Sequence, residues 1–200
     1  PLPVRFKTDC QAVNHTLPIT KLAEDYYFPL AKAPQIVRID PDLTLLAKIT
    51  FAPPTGQLHA QLADATDALG RQQAVELLAK RKDKTTVEKL THVLRNDSFY
   101  GVRIAASRAL RGIATDAAYE ALAGSTDQPN AKVRSQVVSD IASQPKPGAL
   151  PHLKRIFANE KNPAIRAQAI NGLAGHEDKQ ANRLINQALG QASFRNQIAD

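Results

Sequence analysis

The sequence predicts a mainly α protein: a right-handed α-solenoid of about five helix pairs over residues 55–200, preceded by a small all-β segment over residues 1–54 that forms part of a β-sandwich. Three observations predict it. Near residue 55 the hydrophobic period changes from a strand-like value of about two to a helical one of between three and four. An arginine recurs at Arg71, Arg103, Arg134, Arg166 and Arg195, with spacings of 32, 31, 32 and 29 residues. Breaker clusters separate the amphipathic stretches. A two-helix unit of about 31 residues cannot bury its apolar face alone, so successive units must stack to make a core.

In chain order, the β segment begins with Val4-Arg5-Phe6-Lys7, which alternates apolar and polar, and His15 to Ile19, which does so more loosely. Tyr26-Tyr27-Phe28-Pro29-Leu30 is aromatic-rich, and Gln35 to Asp40 leads into Asp40-Pro41-Asp42, a turn signal through both its aspartates and its proline. Leu43 to Phe51 restarts the β pattern until Pro53-Pro54 stops it, because proline donates no ladder hydrogen bond. Each of these stretches is expected to be a strand.

From Thr55 the columns around the recurrent arginine agree. One residue before it stand Gly70, Val102, Val133, Ile165 and Phe194; three after, Ala74, Ala106, Val137, Ala169 and Ile198; seven after, Leu78, Leu110, Ile141 and Leu173. Positions four apart share one helical face, so these columns are the predicted core seam. A further amphipathic helix precedes each unit, at Val87 to Leu94, Ala118 to Leu122, Leu150 to Phe157 and Asn182 to Leu189. Asn96-Asp97, Asp127 to Asn130 and Asn159 to Pro163 punctuate them.

An arginine in the first turn of a helix runs against the macrodipole, which favours acids there. An acid precedes most copies: Asp67, Asp97, Asp127 and Glu160 stand before Arg71, Arg103, Arg134 and Arg166. Each arginine is therefore expected to bond the inter-helix turn or a neighbour's acid, forming a structural ladder along the stack. The exposed column near five residues after the arginine holds Glu76, Arg108, Ser139 and Asn171, with Arg111 one turn beyond Arg108. In stacked helix pairs the second helices generally line the inside of the curve, so Arg108, Arg111, Ser139 and Asn171 are the expected binding residues.

Composition bounds the function classes. Residues 1–70 hold six Lys or Arg against seven Asp or Glu, whereas residues 71–200 hold twenty against twelve. A basic solenoid raises nucleic acid as a partner, but few aromatics stand where bases could stack on them. The run Lys80-Arg81-Lys82-Asp83-Lys84 reads as a solvated turn. No apolar stretch approaches the roughly 18 residues of a membrane span. A single cysteine, Cys10, excludes an internal disulfide and a thiolate cluster. His15, His59, His92, His152 and His176 show no ligand spacing, and no glycine-rich phosphate loop is present. The chain contains no methionine and its last residues read as a truncated repeat helix, so it is expected to be a piece of a longer protein.

The repeated pattern, an apolar residue, arginine, small apolar residues and then leucine one turn on, resembles HEAT- and armadillo-type repeats over roughly residues 57–200. The order of the N-terminal stretch, Tyr26 to Leu30, then Val37-Arg38-Ile39-Asp40-Pro41, then Leu45 to Phe51, leading directly into helical repeats, resembles the C-terminal half of M1-family zinc aminopeptidases. That resemblance implies a β-sandwich followed by a helical domain that shapes the substrate chamber or mediates domain contacts. The upstream catalytic domain, or a peptide or protein, would be the partner. It implies zinc in the parent and none in this chain: His176-Glu177-Asp178-Lys179-Gln180 has Gln where the second histidine of His-Glu-x-x-His belongs. No catalytic residue, metal ligand or cofactor is expected here. The competing expectations are a free-standing adaptor for proteins, a basic repeat protein acting on nucleic acid, and a repeat-type bilin lyase.

Overall fold

A computed structural model describes residues 1–8, 11–144, 146 and 148–190. The chain divides into two compact units, Pro1–Leu78 and Ala79–Asp200.

The first unit contains β1 (Leu2–Lys7), β2 (Ala12–Leu17) and β3 (Ile36–Ile39), in the order β2-β1-β3 with both pairings antiparallel. The register puts Phe6 opposite Val13 and Val37, and Arg5 opposite Asn14 and Arg38. With a period of two, Val4 and Phe6 point to one face and Arg5 and Lys7 to the other. On the apolar face, the rings of Phe28 and His15 lie 4.6 and 5.7 Å from that of Phe6.

Two expected strands are not strands. Tyr26 to Leu30 is an irregular cover, held by Phe28 on Phe6 and by the Tyr26 hydroxyl donating to the Pro18 carbonyl at 2.6 Å. Leu43 to Phe51 fails because the Asp40 turn claims its start. Asp40 and Leu43 sit at φ 46° and 53°. The buried Asp40 carboxylate accepts the amides of Thr44 and Leu45, each at 2.9 Å, which a strand would have used in a ladder. Burial alone would raise the Asp40 pKa, but those amides, the Thr44 hydroxyl and the Arg38 charge hold it below the ordinary value. The expected partial β-sandwich is thus, among the described residues, one three-stranded sheet.

The polar face of that sheet is cationic and meets the turn between α1 (Thr55–Ala63) and α2 (Ala68–Leu78). Lys7 Nζ pairs with Asp64 at 2.6 Å, and the buried Arg38 pairs with Asp67 and donates to Gln73 Oε1 at 2.9 Å. The Asp67 carboxylate also accepts the Gly70 amide at 2.7 Å. A Cβ at residue 70 would meet it at 2.8 Å, so this column, Val or Ile in the described later repeats, carries glycine here. Leu58, Ala74 and Leu78 form the core, with Leu62 and Leu77 against it. The first helix pair therefore belongs to the same unit as the sheet.

The second unit runs α3 (Lys84–Asn96), α4 (Tyr100–Ile113), α5 (Asp116–Ala123), α6 (Ala131–Ala142), α7 (Ala149–Asn159), α8 (Pro163–Ala174) and α9 (Lys179–Leu189). Two breaker clusters supply helix caps, Asn130 and Asn162, and three further caps lie outside them. Asp83, Thr115, Asn130, Asn162 and Asp178 each accept an orphan first-turn amide, and Pro163 follows Asn162 where its missing N–H costs nothing. Helix α6 packs between α4 and α8, while α3 packs on α5 and α7 on α9. Val102, Ala106 and Leu110 on α4, Val133, Val137 and Ile141 on α6, and Ile165, Ala169 and Leu173 on α8 are all buried. Among the described residues no helix is long and apolar enough to cross a membrane. Cys10, Phe194, Arg195 and Ile198 lie outside the described residues.

Candidate functional site

The described recurrent arginines bond inter-helix turns or, at Arg166, the last turn of the preceding helix. Arg71 Nη1 donates to the carbonyls of Asp64 and Ala65 at 2.8 and 3.0 Å. Arg134 Nη1 does the same to Gln128 and Pro129 at 2.8 and 3.2 Å, while its Nε and Nη2 reach Glu160 at 2.9 and 3.4 Å. Arg166 Nε donates to the Phe157 carbonyl at 3.2 Å, with the guanidinium 4.8 Å over the Phe157 ring. Arg103 is the weakest anchored: Nη1 reaches Gln128 Oε1 at 3.4 Å, and its buried Nε finds no hydrogen-bond partner among the described residues. The acids serve neighbours. Asp67 pairs with Arg38, and Glu160, which precedes Arg166, pairs with Arg134 of the unit before. Burial alone would raise the Glu160 pKa; the Arg134 guanidinium together with the amides of Asn162 and Lys161 outweighs it and holds the pKa below its ordinary value.

Between the Gly124–Asn130 and Asn159–Lys161 turns lies a cleft of about 680 Å³, lined in part by Thr126, Arg134, Arg155, Ile156 and Glu160. Three of its charged side chains are engaged, Arg134 with Glu160 and Arg155 with the Thr126 hydroxyl at 3.4 Å. It belongs to the ladder.

The solvent side of α4, α6 and α8 is different. Glu76, Arg108, Ser139 and Asn171 are all exposed. Below Arg108 and Arg111 lies a polar network that the sequence reading missed. Ser107 Oγ donates to Asp140 Oδ2 at 2.6 Å, and Gln136 Nε2 donates to Asp140 Oδ1 at 3.0 Å. Arg111 Nε lies 3.4 Å from the same Oδ1, and Arg108 Nε donates to Gln136 Oε1 at 3.0 Å. Asp140 is fully buried, which raises its carboxyl pKa against the opposing pull of Ser107, Gln136 and the two arginines. Arg108 is thereby held by a hydrogen bond at Nε and Arg111 by an ion pair whose nearest nitrogen is Nε, and among the described residues no hydrogen bond from the terminal nitrogens of either occurs. The missed signal was present: Ser107 stands in a column otherwise Val75, Val138 and Ile170, and Asp140 in one otherwise Leu77, Ala109 and Gly172.

No group of three or more His, Cys, Asp or Glu that could hold a metal occurs among the described residues. His176 to Gln180 forms the α8–α9 turn and the start of α9, where Asp178 caps α9 and pairs with Lys154 at 3.0 Å. Lys80 to Lys82 lie in the turn before α3, with Lys80 and Lys82 exposed, and Asp83 caps α3, so the basic run is a solvated turn that ends in a helix start.

Residues 56–142 match the family of HEAT repeats, which identifies this stretch as helical repeat. No curated protein matches the chain. The resemblance to M1-family aminopeptidases has no counterpart in either comparison.

Proposed function

We propose that the chain is a non-catalytic protein-interaction module whose working surface is the solvent side of α4, α6 and α8. The observation that carries this is the separation of roles on those helices: buried columns stack them, while Arg108, Arg111, Ser139 and Asn171 are exposed on the side the core does not use. The match to HEAT repeats supports it, since stacked helix pairs offer extended binding surfaces. We further propose that the module works inside an M1-like metallopeptidase, shaping the substrate chamber or mediating domain contacts. The succession of a small sheet and helical repeats supports that finer reading.

A photo-crosslinking amino acid placed at Ser139 or Asn171 of the full-length protein tests the surface. Crosslinks to polypeptide are expected, with few from the same probe at Glu88, on the exposed side of α3. Equal labelling from Glu88, or crosslinks to nucleic acid alone, refutes the interaction surface. The peptidase reading requires zinc-dependent aminopeptidase turnover by the full-length protein; without it that reading falls and the surface is untouched.

A further inference from the structure

We propose that Arg108 and Arg111 form a docking site for an acidic segment of a protein partner, gripping two carboxylates at alternate positions of an extended chain. The proposal rests on the reading of the α4–α6–α8 side as the interaction surface and names its ligand chemistry. Three observations carry it.

The first is preorganisation. Arg108 Nε is fixed on Gln136 Oε1 at 3.0 Å, and Arg111 Nε lies 3.4 Å from the Asp140 carboxylate. Gln136 joins the two anchors by donating to Asp140 at 3.0 Å, and Ser107 locks Asp140 from α4 at 2.6 Å. Arg108 is steered by a hydrogen bond and Arg111 by an ion pair, both on the Nε side, and neither donates a hydrogen bond from Nη1 or Nη2 to a described residue, which leaves donors for a bidentate carboxylate contact. Side chains already ordered in the free protein lose less entropy on binding.

The second is spacing. Helical residues three apart have Cβ atoms about 5–6 Å apart. Alternate side chains of an extended strand lie on one face roughly 6.6–6.8 Å apart, a mismatch that two long arginines absorb. Adjacent acids on such a strand point to opposite faces and cannot both engage.

The third is confinement. The Arg108 column continues as Ser139 and Asn171, and the Arg111 column as Ala142 and Ala174. A polyphosphate backbone crossing to the next helix, about 8–10 Å away, meets no further cation in these columns. An acidic pair followed by neutral residues meets two cations and then the hydrogen-bonding groups of Ser139 and Asn171, so a protein segment fits and a nucleic-acid track does not.

The test is calorimetric titration of the full-length protein, at low salt, with an end-capped peptide containing Glu-Ala-Glu in an otherwise neutral sequence. Comparators are the Gln-Ala-Gln and Glu-Glu-Ala peptides, tripolyphosphate and a short DNA duplex. Binding of Glu-Ala-Glu is expected to weaken at least about tenfold, roughly 1.4 kcal/mol, in Arg108→Gln/Arg111→Gln, titrated at a temperature where its circular dichroism matches the wild type because Arg111 also pairs with the buried Asp140. Gln136→Ala, which keeps both charges and removes their anchor, is expected to weaken it as well; Arg108→Lys/Arg111→Lys is expected not to restore it. No binding of Glu-Ala-Glu, equal binding of Gln-Ala-Gln or Glu-Glu-Ala, an unaffected double variant, or tighter binding of tripolyphosphate or duplex overturns the proposal. Crosslinks from Ser139 and Asn171 without Glu-Ala-Glu binding overturn it alone; loss of both overturns the interaction surface as well.

Discussion

Replacing Arg134 with alanine removes one side chain from three structural elements at once. Its guanidinium donates to the Gln128 and Pro129 carbonyls of the turn before α6 and forks onto Glu160 of the turn before α8. A hydrogen bond to a charged group contributes about 1.5–3 kcal/mol when buried. Here the discount is substantial. The Arg134 side chain is 23% exposed, so water can reach part of the vacated site. Glu160, 11% exposed, keeps the amides of Lys161 and Asn162, each at 2.9 Å. The expected loss is about 2 kcal/mol, within bounds of about 1–3. For a urea m-value of about 2 kcal/mol/M, the unfolding midpoint falls by about 1 M. Arg103→Ala is the internal control, because among the described residues Arg103 makes a single hydrogen bond, the 3.4 Å contact to Gln128, and its Nε finds no partner; it is expected to cost less than half as much. In a double-mutant cycle with Glu160→Gln the pair should couple by about 1 kcal/mol. An unchanged midpoint, or equal losses at Arg103 and Arg134, refutes the turn-anchoring account.

Three further outcomes follow from the same contacts. Burial lifts the Asp140 carboxyl above its unfolded value, so its contribution to stability is complete below the unfolded pKa and is lost as pH rises through the folded one. The midpoint of the wild type minus that of Asp140→Asn is therefore expected to fall as pH rises above the ordinary aspartate range; a flat difference refutes the raised pKa. Gly172→Ala places a Cβ 2.6 Å from that of Ala142 and 3.0 Å from Leu153 Cδ1, so overpacking is expected to cost about 1–3 kcal/mol by urea unfolding; an unchanged or raised midpoint would show that α8 can shift at no cost. The chain itself, dialysed and assayed by atomic absorption with a chromogenic aminopeptide, is expected to retain no stoichiometric zinc and show no turnover; retained zinc with turnover refutes its reading as non-catalytic.

Helix pairs were legible because three successive described repeats meet the same demand. A stacked helix needs its seam apolar at four-residue intervals, and Val102-Ala106-Leu110, Val133-Val137-Ile141 and Ile165-Ala169-Leu173 satisfy it in phase. The β segment was less legible because a strand is defined by its ladder partners, which local alternation does not reveal. Leu43 to Phe51 has strand-forming composition, yet Asp40 takes two of its first amides. Tyr26 to Leu30 is aromatic because Phe28 covers Phe6 and Tyr26 caps the Pro18 carbonyl, both roles outside a ladder. The ion pairs that join the sheet to α1 and α2 lie beyond any local pattern, since Lys7 and Asp64 are fifty-seven residues apart.

In a repeat protein, a side chain that breaks its column has to be satisfied by something other than stacking, and here each such break can be traced to its cause. Gly70 breaks a Val/Ile column because the Asp67 carboxylate, drawn across by Arg38, occupies the space of a Cβ. Ser107 and Asp140 break two apolar columns in adjacent repeats, and they bond each other at 2.6 Å. The two causes differ in kind. The Gly70 exception closes on itself, because Asp67 spends its charge on Arg38 inside the unit. The Ser107–Asp140 exception does not close: a fully buried carboxylate is costly to stack, and its remaining contacts lead outward through Gln136 to Arg108 and directly to Arg111. Stacking α4 on α6 would be served by two apolar residues at 107 and 140, as the same columns show elsewhere. What the polar pair adds is a fixed position for two exposed guanidiniums, the position that the proposed acidic segment would use.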